Sequence, residues 1–178
     1  MNRNLIIFVA AVCALVPARA SGYAYFSEES LLSSFFPGQA PERVPWHPTS
    51  TQREIFKAKV GYSPPVAEYT WFVVSEHDAP VGYALIDEQL GQHEPITFGV
   101  QLRPDATIER IEVMVYREMY GDGVRSERFR TQFVGLDFAN PMRAGKEIQI
   151  VSGATISTRA LSTGARRASA LLSTWLGQ

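Results

Sequence analysis

One cysteine, Cys13, and three histidines are all the thiol and imidazole ligands that the 178 residues offer. A cysteine-ligated zinc site, an iron–sulfur cluster and a CxxCH haem attachment each need more than one thiolate, so all three are excluded. A basic excess is also missing. Lys and Arg number 17 against 18 Asp and Glu, a formal charge of −1, which argues against a nucleic-acid partner. Beyond residue 20 no apolar run is long enough to cross a bilayer. Repeats, low-complexity tracts and a strand–GxGxxG–helix unit for a pyridine nucleotide are absent too. Any redox chemistry must therefore be carried by an organic cofactor.

The residues present describe an ordinary globular chain, 46% hydrophobic and 20% charged, which disfavours wholesale disorder. Its first 20 residues have another purpose. Arg3 precedes an apolar run from Leu5 to Val16, and Ala18-Arg19-Ala20 places small residues where a signal peptidase reads them. A signal peptide cleaved before Ser21 is expected, with export to the periplasm or beyond. Cleavage would remove Cys13 and leave a soluble chain without thiols.

The expected organisation is a helical, loop-rich extension at 21–77 followed by one domain at 78–178. Ser27 is placed to cap a helix whose Leu31, Leu32, Phe35 and Phe36 form one face, stopped by Pro37-Gly38. Pro41, Pro45 and Pro48 then mark a stiff linker. Thr51-Gln52-Arg53-Glu54 has the capping-box pattern for a second helix. Four β-rich runs follow, at Tyr69–Ser75, Val81–Glu88, Ile96–Leu102 and Ile108–Tyr116, on turns too short for crossover helices. A short helix carries Phe129 and Phe133, Ile148–Val151 reads as a last strand, and a helix fills about 157–176. Leu161, Ala165, Ala168, Leu172 and Trp175 form its apolar stripe, while Arg159, Arg166 and Arg167 read as a solvated face. The fold class expected is α+β: an antiparallel-rich curved sheet with flanking helices and a long C-terminal helix.

The chemistry concentrates in Ser152-Gly153-Ala154-Thr155-Ile156-Ser157. Four small residues joining a β-rich run to a helix leave backbone N–H groups pointing outward at the positive end of the helix dipole, a setting that binds phosphate. Gly153 permits close approach, Ala154 keeps the surface clear, and Thr155 sets a hydroxyl at the mouth. A plain N-cap is the other reading of such a Ser/Thr cluster.

Ser152-Gly153-Ala154-Thr155 followed by Ile156-Ser157 resembles the attachment motif of the FMN-binding domain family, which includes periplasmic flavoprotein subunits of the sodium-translocating NADH:quinone oxidoreductase and Rnf type. Val81–Ala84, Gly91–Phe98, Ile111–Glu118 with Gly121, and Phe129, Gln132, Phe133 and Gly135 resemble the same family, so the likeness covers about 78–173. It implies FMN joined through its phosphate to the Thr155 hydroxyl by a dedicated flavin transferase. Ser152, Gly153, Ala154 and Ser157 would then belong to the phosphate pocket and recognition sequence. It also implies an electron-transfer module that meets a membrane or periplasmic redox partner. Two departures stand out: Gln149 and Gln92 occupy positions where many members carry an acidic residue and a lysine.

Two alternatives remain from the sequence, a flavin-dependent reductase and a flavin-free exported binding module using Trp46 and Trp71. His77 and His93 beside Glu76 and Glu94 read as solvated loop chemistry. Tyr116, Tyr120 and Phe129 are candidates either for flavin stacking or for core.

Overall fold

The computed structural model describes residues 22–178, so the expected signal peptide at 1–20 lies outside the described residues. Six strands run through the chain: β1 (Tyr23–Ala24), β2 (Glu42–Trp46), β3 (Tyr69–Glu76), β4 (Ala79–Leu90), β5 (Pro95–Leu102) and β6 (Ile108–Tyr116). They form one antiparallel sheet in the order β1-β6-β5-β4-β3-β2. Alternating β-branched and aromatic residues make the strands, and the connections between β3 and β6 are too short to permit any other pairing. His77 and Asp78, at φ 50° and 63°, make the two-residue β3–β4 turn whose twist matches a hairpin. Register shifts at Val74/Ser75, Thr97/Phe98 and Gln101/Leu102 bend the sheet. The α+β architecture expected from the sequence is the one observed.

The two faces are covered unequally. Helix α4 (Thr155–Leu176) lies on one, with Leu161, Ala165, Ala168, Leu171 and Leu172 buried against Phe98, Val100, Leu102, Ile111 and Val113. Helix α2 (Ser50–Val60) packs beside it, and the short helix α3 (Glu127–Arg130), which carries Phe129, follows β6. Trp175 stacks on Trp71 with centroids 5.5 Å apart. On the opposite face α1 (Glu28–Phe35) sets Leu31 and Phe35 over Phe72, Val74, Ala84 and Met114. Among the described residues no helix is long and apolar enough to cross a membrane.

Gly164 fixes how closely α4 approaches the sheet. A Cβ there would fall well inside contact distance of the buried Phe98 ring. Gly164→Ala gains about 1 kcal/mol of helix propensity but overpacks a filled core at about 1–3 kcal/mol. The expected result is a net loss of stability of up to about 2 kcal/mol, read as a lower urea midpoint. A midpoint raised above wild type would mean that α4 is free to lift.

Several expectations need correction. The second helix starts two residues early: Thr49, not Thr51, is its N-cap, and Gln52 closes the capping box. The proline-stiffened linker contains β2, an edge strand in which Pro45 costs no ladder bond from a central position. Ile148–Val151 is not a strand. Ile148 makes one isolated bridge to Ala144, and the Gln149 N–H donates to Gln132 Oε1 at 2.7 Å. The arginines of α4 are not a common solvated face either: Arg167 is only 4% exposed, and Arg166 donates to two backbone carbonyls.

Candidate functional site

Val151–Ala154 closes a turn, with the Ala154 N–H donating to the Val151 carbonyl at 2.9 Å. Gly153 occupies its third position at φ 73°, a conformation open to glycine and costly for other residues. A Cβ at Gly153 would meet nothing within 4 Å, so the requirement is conformational rather than steric. The turn feeds α4, and the N-cap is Ala154, which supplies no side-chain acceptor. The plain N-cap reading therefore fails. The first helical bond runs from the Thr158 N–H to the Ala154 carbonyl at 2.8 Å. This leaves the N–H groups of Thr155, Ile156 and Ser157 without intrahelical acceptors. No acidic residue stands in the first turn, so the positive end of the helix dipole is not offset from within α4.

These groups border a hollow of about 220 Å³ lined by Gly153, Ala154, Thr155, Ile156 and Ser157 on one side and by Gln92, Glu118 and Tyr120 on the other. Thr155 is half-buried at its edge. Ser157 is buried, and its hydroxyl lies 2.8 Å from Tyr116 Oη. Burial pushes the Tyr116 phenol up, only partly offset by the Ser157 bond, so it keeps its proton and donates to the Tyr120 carbonyl at 2.5 Å. The Ser157 hydroxyl must then donate to Tyr116. Its side chain thus ties α4 to the loop after β6, and its backbone N–H is one of the three without an intrahelical acceptor.

On that opposite wall Tyr120 is the sequence candidate for flavin stacking, whereas Gln92 and Glu118 carry no site role in the sequence reading. Glu118 accepts from the backbone N–H groups of His93 at 2.6 Å and Glu94 at 3.1 Å. Partial burial pushes its carboxyl up, and those bonds outweigh burial to hold it below the usual range. Its charge is thus spent on the β4–β5 turn. Tyr120 is 80% exposed and Met119 beside it 85%, so two large apolar side chains stand free next to the hollow. Of the three aromatic candidates only Tyr120 is accessible. Tyr116 is core, and Phe129 packs edge-on against Phe133 with centroids 5.4 Å apart.

Gln149 and Ser152 face a separate hollow of about 270 Å³ with Phe129 and Gln132. His77 and His93 sit at opposite ends of β4 and never meet. Among the described residues no group of His, Cys, Asp or Glu could hold a metal ion. Trp46 and Trp71 are buried and offer no partner surface.

Residues 91–170 match the family model described as FMN-binding domain. The match is slightly under half the chain, yet it runs from the β4–β5 turn into the last turns of α4 and includes every residue that lines the hollow at Thr155. It supports an FMN-binding domain over this segment, with FMN as its cofactor. No curated protein matches the chain.

Proposed function

We propose that this chain is an exported flavoprotein in which Thr155 carries FMN through a phosphoester bond, and that it acts as an electron-transfer module. The observation that carries the reading is the start of α4: three N–H groups without helical acceptors, an alanine N-cap, and a hydroxyl at the edge of the hollow. A phosphate suits that arrangement because it supplies the acceptors and the negative charge that the helix end lacks. Ser152 and Gly153 shape the turn, and Ala154 leaves room at the helix start. FMN, when bound, supplies one- and two-electron chemistry that the side chains alone cannot.

The residues around Thr155 bind and orient; they do not activate. An alcohol needs a neighbouring base to become a nucleophile. The carboxylate lining the hollow, Glu118, is already committed to backbone N–H groups. Activation of the Thr155 hydroxyl is therefore assigned to a separate flavin transferase, which takes up its proton as the oxygen–phosphorus bond to FMN forms and the phosphoanhydride bond of an FMN donor such as FAD breaks, releasing AMP. A covalent tether keeps a cytoplasmic nucleotide on an exported protein. Among the described residues no free acid–base pair lines the hollow, which favours relay to a membrane or periplasmic redox partner over turnover of a small substrate.

The test is intact mass and absorbance of the chain made with and without a flavin transferase. The expected product is heavier by FMN less water, keeps its colour after denaturation, and is lost in Thr155→Ala. Colourless, unmodified protein from the native host would overturn the proposal. Gln149→Asp separately tests the departure six positions upstream. Since Gln149 is exposed and meets the protein through its backbone N–H, the substitution should leave the fold intact and raise attachment if the transferase reads an acid there.

A further inference from the structure

A second concave site lies along α4, independent of the one at Thr155. It has a volume of about 390 Å³, shares no lining residue with the first, and is walled by α4 and the loop at 141–144. Its cationic groups are Arg143, Arg159 and Arg166, and no acidic residue lines it. Arg143 is engaged with Glu147, whose carboxyl it holds down to about 2, so that pair stays formed at ordinary pH. Arg166 donates through Nε to the Phe138 carbonyl at 2.8 Å and through Nη2 to the Lys59 carbonyl at 3.0 Å. Those neutral acceptors fix the guanidinium without cancelling its charge. Arg159 is exposed on the rim.

At the base of the cavity Ser162 is 4% exposed, and its hydroxyl has no hydrogen-bond partner. A buried hydroxyl without a partner is costly, and a serine in a helix normally returns its proton to a carbonyl one turn back. Opposite it Met142 holds φ 50° with its side chain buried, a conformation that non-glycine residues adopt only when the surroundings impose it. Held arginines with spare N–H groups, a buried hydroxyl and no competing acid make a receptor for oxyanions.

We infer that the cavity between α4 and the 141–144 loop binds a small polyanion, phosphorylated or polycarboxylate, through Arg159, Arg166 and Ser162. At about 390 Å³ the cavity has room for more than one anionic group. The inference does not rest on flavin at Thr155, and the experiment keeps the two apart. Unflavinylated chain is titrated calorimetrically with pyrophosphate and, separately, with citrate, the two arms distinguishing phosphate from carboxylate ligands.

Saturable binding of either probe is expected. Arg159→Glu should weaken it about tenfold or more, since a charge-assisted bond becomes a repulsion. Ser162→Val should weaken it as well, by removing the hydroxyl at the base. Arg103→Glu, the same change of charge at the exposed β5–β6 turn, should leave it unaltered. The inference is overturned if neither probe binds, if Arg103→Glu weakens binding as much as Arg159→Glu, or if Ser162→Val leaves binding unchanged, which would seat the anion outside this cavity.

Discussion

Asp87→Ala is expected to destabilise the protein by about 3–5 kcal/mol, enough to leave much of a marginally stable domain unfolded. The reason is Arg167, whose guanidinium is sealed between α4 and β4. It donates through Nε to Asp87 Oδ2 at 2.8 Å, through Nη1 to Gln89 Oε1 at 2.7 Å, and through Nη2 to the Glu88 carbonyl at 2.7 Å. Asp87 is the one anion in that set. Without it a buried cation keeps two neutral acceptors and no counter-charge. Tyr69 cannot substitute, because burial pushes its phenol up to about 12 and it stays neutral. Replacing both partners by apolar residues, Asp87→Leu with Arg167→Met, should recover most of the loss, since the buried cation then disappears. Urea midpoints of the two variants decide the matter. A single-variant loss under about 1 kcal/mol would show that water reaches the guanidinium.

That pair also marks the limit of what the sequence discloses. Period-2 alternation locates β3 to β6 to within two residues, the widest miss being β4, expected at Val81–Glu88 and found at Ala79–Leu90, while β6 matches at Ile108–Tyr116. The small-residue stripe of α4 correctly named its buried face. Arg167 was misread because its partner is 80 positions away, and a helical wheel carries no information about a strand on the far side of a turn. Ile148–Val151 looks like a strand by composition, but an edge must be free to receive it. Here its donors go to the Gln132 side chain and a local turn instead. β2 was missed because proline reads as linker, yet an edge strand tolerates it.

The site divides in the same way. Ser152–Thr155 is legible because glycine and small residues at the start of a helix have a local physical meaning. The opposite wall of the hollow is assembled by the sheet. Gln92 arrives from the β4–β5 turn and Glu118 and Tyr120 from the loop after β6, so no local pattern joins them to Thr155. The sequence signals for that wall are Tyr120, a stacking candidate, and Gly121, for which the structure supplies the reason.

Gly121 sits at φ 96°, and a Cβ there would lie 2.7 Å from Tyr116 Oη and 2.8 Å from Ser157 Oγ. Gly121→Ala therefore meets two costs: about 1–2 kcal/mol for a left-handed alanine, and about 1–3 kcal/mol if the buried Ser157–Tyr116 bond is forced apart. A total loss of about 2–5 kcal/mol is expected. Ser157 lies in the first turn of α4, so its 2.8 Å clash puts the strain on the N-terminus of that helix, while Ala154 Cα at 3.4 Å is in ordinary contact. The functional consequence should therefore exceed the thermodynamic one. At a temperature where both variants are still folded, Asp87→Ala should take up flavin at Thr155 as fast per folded molecule as wild type, while Gly121→Ala should be slowed. Tyr116→Phe in the Gly121→Ala background removes one of the two crowded hydroxyls and should restore part of the rate. Equal rates in Gly121→Ala and Asp87→Ala would mean that the transferase reads only the local sequence around Thr155. Unequal rates would mean that it reads the folded start of α4, which Tyr116, Ser157 and Gly121 together hold in place.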